Sequence, residues 1–566
     1  MNIDIEAIEN WVEETRHRWK VPAIGLALVI NGKEELLRGF GQRDLDLALP
    51  ATESTLFAIG SCTKAFTATA LALLVERGLM QWNVPVKEYI PSFELYDRDA
   101  SAKITPVDLL IHSSGLPRHD LVWYSAPQLS RKDLLSRLRY LEPSKDLRAA
   151  WQYQNLMYVV AGCLIQELTG MTWEDFVLTH ILKPLGMSNT NFSVRASQLS
   201  TDYALPYVQE NEAVRRTDFF DLDAMGPAGS INSCVRDMAK WLLFHLGYST
   251  HEIFGSTSSL EKLRTPHMPI STPPRYKELS YQDYCLGWVS QTYRGRRLLY
   301  HGGNIDGFSA LTSFCPELSI GLVVLSNMGQ SPAPQAITFG IYDRLFGMSP
   351  LDWNARLESE QEQSRKMTTL GREVREKGRK PDAAHSHSLE DYTGTYSHPG
   401  YGTLQISQEE DGSLSVRLNE LSGKGAHYHY DTFLLEFEKL PSPLPATFTA
   451  NSRGIIDRVS IPLEASVSEV VFRRRAAEEL YDRSYLQSFV GDYIAESKTV
   501  AVTLDRDALR LVIPGELDIS MIPENLNTFV AINTSSIYAE FAVSEETTRL
   551  ILAGPEWAIE AQRTTA

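Results

Sequence analysis

A serine and a lysine stand one helical turn apart in "AIGSCTKAFTATALALLVERG" (58–78), where Ser61 follows Gly60 and Lys64 opens a run of helix formers. A serine hydroxyl is a poor nucleophile until a neighbour takes its proton. At a helix start Ser61 lies among backbone N–H groups without intrahelical acceptors and near the positive end of the dipole. Its own N–H can therefore serve a developing oxyanion. Lys64 shares the same face at i+3. In a partly buried pocket its ammonium is depressed toward neutrality, or it lowers the pKa of a neighbour.

Two further stretches carry groups of matching chemistry. "WQYQNLMYVVAGCLIQELTG" (151–170) places Tyr153 and Asn155 just ahead of an apolar helix. A tyrosine, with an ordinary pKa of about 10, can be poised as a base beside a cation. Asn155 offers an amide to a substrate carbonyl. "LLYHGGNIDGFSA" (298–310) puts His301, Gly302 and Gly303 at the end of a strand. The glycines allow close approach to the backbone, and the N–H of Asn304 is a second candidate oxyanion donor. Cys62, next to Ser61, reads as a packing residue. There is no Gly-x-Ser-x-Gly elbow, HExxH or P-loop.

The order Ser-x-x-Lys, Tyr-x-Asn, His-x-Gly resembles that of the class C β-lactamases and penicillin-binding-protein-like serine hydrolases. "LLIHSSGLP" (109–117), "GPAGSINSCVRDMAKW" (226–241) and "LGW" (286–288) look like that family too. The resemblance covers about residues 5–350. It implies an α+β catalytic domain, an antiparallel sheet with a helical subdomain and the active site between them. It also implies Ser61 as nucleophile, Lys64 and Tyr153 sharing base and acid roles, and Asn155 holding the substrate. His301 then stands at the third motif with Gly302 and Gly303, and the N–H groups of Ser61 and Asn304 form the oxyanion hole. True β-lactamases of this class usually carry Lys-Thr-Gly at the third motif. A histidine there, only partly charged at neutral pH, recognises a carboxylate less firmly and points away from β-lactams. The expectation is a cofactor- and metal-free serine hydrolase acting on a small peptide, amide or ester, most like a D-aminopeptidase. An acyltransferase or peptide-cyclising thioesterase using the same acyl-enzyme is the alternative. An esterase, a β-lactamase and a non-catalytic scaffold are the lesser readings.

The elements that would position these groups follow from pattern. Residues 4–19 read as a helix, and "VPAIGLALVINGKEELLRGFG" (21–41) as a hairpin turned at Asn31-Gly32. The Ser61 helix ends before Gly78. Residues 80–245 are mostly helical, strands return between 286 and 327, and "PAPQAITFGIYDRLFG" (332–347) closes as a helix. The catalytic domain is therefore set at 1–350. Residues 351–388 are charged and poor in large apolar side chains, and read as a partly helical linker. Beyond them the pattern is short alternating strands. "LEDYTGTY" (389–396) recurs as "LQSFVGDY" (486–493), 97 residues on. Each copy has room for about eight strands, giving lipocalin-like antiparallel barrels at 389–480 and 481–566. One larger barrel across both is the alternative. Two-barrel arrangements of this kind resemble the D-aminopeptidases.

Net charge of −17 disfavours nucleic acid and anionic membrane surfaces as partners. Five widely spaced cysteines read as reduced core thiols. His385 and His387 read as solvated, and the "HYH" at 427–429 as a strand rather than a metal site. No signal peptide or apolar run of 18 residues is visible, so the expectation is a cytoplasmic protein. Homo-oligomer formation is left open.

Overall fold

The hairpin forms where the Asn31-Gly32 turn requires it: both residues have positive φ (50° and 80°), and Ile30 pairs with Lys33. The computed structural model describes residues 4–210, 212–496, 498–532, 534–544 and 547–564. The chain divides into two compact units, residues 1–374 and 375–566.

In the first unit the strand Ala23–Ile30 is buried along its whole length, because it lies inside a nine-stranded sheet. It pairs with Lys33–Asp44 on one side and Ile320–Ser326 on the other. Phe308–Cys315, Arg296–Ile305 and Val289–Tyr293 follow outward, all antiparallel. The sheet is thus closed by strands from both ends of the unit. One face packs Ile24, Leu26, Leu322 and Val324 into a core with Trp11 and Val12 of the helix Ile5–Arg18 and Ile337 and Ile341 of the helix Ala333–Leu345. The other face lies against the helix Val235–Leu246, whose Val235 and Leu242 sit over Gly25 and Gly321.

The helix Lys64–Glu76 is buried from Lys64 through Leu74, an all-round burial that matches a sequence whose only polar side chains there are Lys64, Thr67 and Thr69. It ends in a left-handed Gly78, with Leu79 N–H bonded to Leu74 O at 2.9 Å. The composition change at 352 coincides with the start of a helix. Residues Trp353–Gly378 form one 26-residue helix, and Trp353, Asn354 and Leu357 of its first turns are core residues. Trp19 Nε1 donates to Asn354 Oδ1 at 2.8 Å, so this helix start belongs to the catalytic unit's packing. The charge-rich remainder hid three well-spaced anchors.

The second unit holds two closed eight-stranded antiparallel barrels, and the single large barrel is excluded. The first closes by pairing Gly394–His398 with Val470–Arg475, the second by pairing Gly491–Ala495 with Trp557–Arg563. The 97-residue repeat has a local cause. Tyr396 Oη donates to Tyr392 O at 3.0 Å, and Tyr493 Oη to Phe489 O at 2.8 Å. From each last strand an arginine returns to the same backbone: Arg474 to Thr393 O at 2.6 Å, and Arg563 to Ser488 O at 2.9 Å. The repeated octapeptide is the plug that ties the barrel's entry to its closing strand. A register shift falls between His427 and His429, and His427 Nε2 lies 2.8 Å from Tyr430 O.

Candidate active site

Ser61 sits in a tight turn, Gly60–Thr63, that runs directly into the Lys64 helix. The turn packs on the strand Arg296–Ile305 at a distance only glycine permits. A Cβ on Gly303 would lie 1.9 Å from Ile59 O and 3.1 Å from Ser61 N. Gly60 has φ +50°, and a Cβ on it would lie 2.8 Å from Asn304 N. The two glycines therefore bring the backbone nitrogens of Ser61 and Asn304 to one seam. Gly303→Ala is expected to force the strand off the nucleophile turn and reduce acylation at least about 10²-fold, the order expected for a displacement of 1 Å. Stopped-flow acylation of the variant, with circular dichroism as a fold check, measures this.

Lys64 is fully buried. Its Nζ lies 2.9 Å from Ser61 Oγ, 2.8 Å from Asn155 Oδ1 and 2.8 Å from Ala228 O. Asn155 Nδ2 donates to Asp120 Oδ1 at 3.1 Å, which fixes the amide with its oxygen toward Lys64. Burial, reinforced by the Arg118 charge, holds the Lys64 pKa well below its ordinary value. A neutral amine has two N–H groups and one lone pair. Asn155 Oδ1 and Ala228 O can only accept, so in the neutral form they take the two hydrogens and the lone pair faces the Ser61 hydroxyl.

Tyr153 lies beside the Ser61 side chain, which favours its phenolate. Lys64 Nζ is 4.9 Å and the Arg118 guanidinium 5.1 Å from its ring centroid. Burial outweighs the Ser61 contact and the Arg118 charge, and the phenol is pushed above its ordinary value. Burial thus disfavours the charged form of both groups.

His301 does not face the site as a partly charged group. Its ring is 4% exposed, with Nε2 2.8 Å from Tyr284 Oη and Nδ1 2.7 Å from Gly302 O. The carbonyl takes the Nδ1 hydrogen, so Nε2 accepts from the tyrosine. Burial pushes its pKa down to about 3, and the Lys64 charge adds to this. The motif's histidine reads from sequence as a titrating group, but the aromatic wall of Tyr284 and Tyr153 encloses it. No limb of the pH–rate profile is expected to arise from His301. Between about pH 3 and 6.5 the unfolded chain takes up a proton that folded His301 refuses, so stability falls as pH drops through that window. His301→Gln is expected to flatten the slope by one proton, about 1.4 kcal/mol per pH unit, in urea melts between pH 4 and 6.5.

Cys62 donates from Sγ to His301 O at 3.1 Å, and burial pushes its thiol up to about 11. That is a structural thiol beside Ser61. Several partners are invisible as chemistry in the sequence. Ala228 contributes a backbone carbonyl. Arg118 and Asp120, ion-paired at 2.5 Å, follow directly on the "LLIHSSGLP" stretch. Tyr284 arrives from the strand Leu279–Tyr284, two strands away in the sheet. Beside the seam a hollow lined by Phe192, Phe219, Phe220, Leu222 and Phe308 also touches Gly229 and Ile305. Asp306, in its wall, accepts from Tyr124 Oη at 2.9 Å.

Comparison with known proteins gives the following. The Beta-lactamase family matches residues 8–342, and a domain of unknown function, DUF3471, matches residues 378–474. The unguisins hydrolase ungD' of Aspergillus campestris (strain IBT 28561) is 30% identical, over 71% of this chain and 78% of that protein. The D-amino acid amidase from Ochrobactrum anthropi SV3, complexed with L-phenylalanine amide, is 25% identical with a TM-score of 0.52, over 60% of this chain and 97% of that one. The octameric penicillin-binding protein homologue from Pyrococcus abyssi has a TM-score of 0.54 at 19% identity, over 99% of this chain and 100% of that one, a likeness of fold.

Proposed function

The chain belongs to the Beta-lactamase family, and from that premise we propose that it is a serine hydrolase that opens amide bonds in small peptides or amino-acid amides through an acyl-enzyme on Ser61. The observation that carries this reading is the buried Lys64 amine, whose Nζ contacts Asn155 Oδ1, Ala228 O and the Ser61 hydroxyl and no carboxylate. Ser61 Oγ attacks the carbonyl carbon as its proton passes to Lys64 Nζ. The carbonyl oxygen collects the negative charge between the N–H groups of Ser61 and Asn304. Tyr153, neutral and beside Ser61, delivers a proton to the leaving amine, and Lys64 restores it. Water then attacks the ester with the same groups acting in reverse.

The hydrolase of unguisins and the D-amino acid amidase among the relatives support amide chemistry. The phenylalanine-lined hollow favours an apolar acyl side chain. With His301 buried and neutral, nothing at the third motif recognises a substrate carboxylate by charge, which disfavours β-lactam acids. Intact-mass spectrometry after a panel of D- and L-aminoacyl amides, esters and β-lactams tests the reading. Phenylalanine and leucine amides are expected to load Ser61 faster than alanine amides and β-lactams. An added amine reports transfer in place of hydrolysis. A panel that leaves the mass unchanged under rapid quench while the amides are cleaved would refute the acyl-enzyme.

A further inference from the structure

The "LLIHSSGLP" stretch carries a histidine, His112, in the turn after the helix Pro106–Leu110. It is fully buried, and its φ is +59°. That left-handed backbone is strained for a residue with a Cβ and persists where the surroundings fix it. Here the strain aims the histidine at the segment that carries Tyr153, and the contacts hold that segment on both sides. His112 O accepts from Gln152 N–H at 2.9 Å, and His112 Nδ1 accepts from Gln154 N–H at 3.1 Å. Between these two bonds stands Tyr153, whose ring centroid lies 4.3 Å from that of the imidazole. Tyr284 closes the other side, with its ring 4.6 Å away.

An imidazole that accepts at Nδ1 carries its one hydrogen on Nε2 and is neutral. Burial, with the Lys64 charge adding to it, holds the His112 pKa well below its ordinary value. Protonation would set a second N–H against that of Gln154 and break the clamp. Nε2 has no hydrogen-bond partner among the described residues, so the ring stands outside the proton path. Its contacts on the reacting groups are to the backbone and ring of Tyr153.

We infer that His112 is a positioning residue for Tyr153: it clamps the backbone on either side of the phenol, supports the ring, and so sets the reach of the phenol toward the leaving amine. The inference rests on the proton-donor role proposed for Tyr153. A donor's placement matters as far as the leaving group needs a proton. The amine of phenylalanine amide needs one, whereas the phenolate of phenylalanine p-nitrophenyl ester departs without it. His112→Phe keeps an aromatic ring but removes the acceptor. His112→Asn tolerates the left-handed backbone and keeps an acceptor near the Nδ1 position.

Single-turnover acylation of the full chain by both substrates is the test. His112→Phe is expected to lose about 10²-fold with the amide, the order for a donor displaced by 1 Å, and less than about threefold with the ester. His112→Asn should lose about tenfold with the amide alone, and it carries the same test if His112→Phe does not fold. In a chain that already bears Tyr153→Phe, neither variant should lower amide acylation further, because the residue acts through the phenol. Tyr153→Phe by itself should show the same split between amide and ester. Equal losses on the two substrates, no loss on either, or a loss undiminished in the Tyr153→Phe chain overturns the inference, since the histidine would then be a core residue. A Tyr153→Phe chain without the split would refute the donor role of Tyr153 and the inference with it.

Discussion

Ser61→Ala is expected to abolish covalent labelling by a fluorophosphonate and to reduce amide turnover by roughly the 10⁶-fold seen when a nucleophile that acts as part of a unit is removed. Cys62 cannot substitute, because its thiol is buried, pushed up to about 11 and committed to His301 O. The same variant reports the charge on Lys64. If the amine is neutral, its two hydrogens stay on Asn155 Oδ1 and Ala228 O when the hydroxyl goes, and the fold loses almost nothing. If it were an ammonium, one N–H would be left buried without an acceptor, a loss of about 1–3 kcal/mol. Urea melts of the variant near pH 7 are therefore expected to coincide with those of the unaltered chain. Labelling that survives Ser61→Ala would move the nucleophile elsewhere.

What could be read beforehand was whatever depends on short-range spacing. Ser61 and Lys64 share a turn, Tyr153 and Asn155 flank one helix start, and the structure brings all four within one cluster. The two barrels were legible because the octapeptide repeat sets a length and each copy makes the same tie between tyrosine and backbone. What the sequence does not show depends on distant packing. His301 has an ordinary titrating side chain in sequence, and Tyr284 and Tyr153, from other elements, enclose it. In the charged segment after 352, Trp353, Asn354 and Leu357 are buried while most of the helix beyond them is exposed. The Ala228 carbonyl has no side-chain signature at all. Arg118 and Asp120 matter through the electrostatics and orientation of Lys64 and Asn155, a role that no spacing rule registers.

Lys64 and Tyr153 are expected to behave as one proton-handling unit, so that losing either forfeits nearly the whole benefit. The proton leaving Ser61 Oγ must end on the amine of the departing product. Lys64 can accept it, because burial holds its pKa well below the usual lysine value. Tyr153 can donate, because burial keeps its phenol protonated and its ring lies 4.9 Å from Lys64 Nζ. A base without the acid leaves the leaving group unprotonated, and the acid without the base leaves Ser61 a hydroxyl. Tyr153→Phe and Lys64→Ala should each reduce the acylation rate by about 10²–10⁴. The double variant should lose far less than the product of the two. The pH profiles separate the roles. Acylation should rise with pH as Lys64 deprotonates and then level off, since the Tyr153 pKa is displaced upward. Tyr153→Phe should keep that rising limb at a lower plateau, and Lys64→Ala should lose it. Single-turnover acylation rates from pH 5 to 10 for the unaltered chain, both singles and the double decide the matter. Fully multiplicative losses, or a rising limb that persists without Lys64, would show that the proton leaves Ser61 by another route.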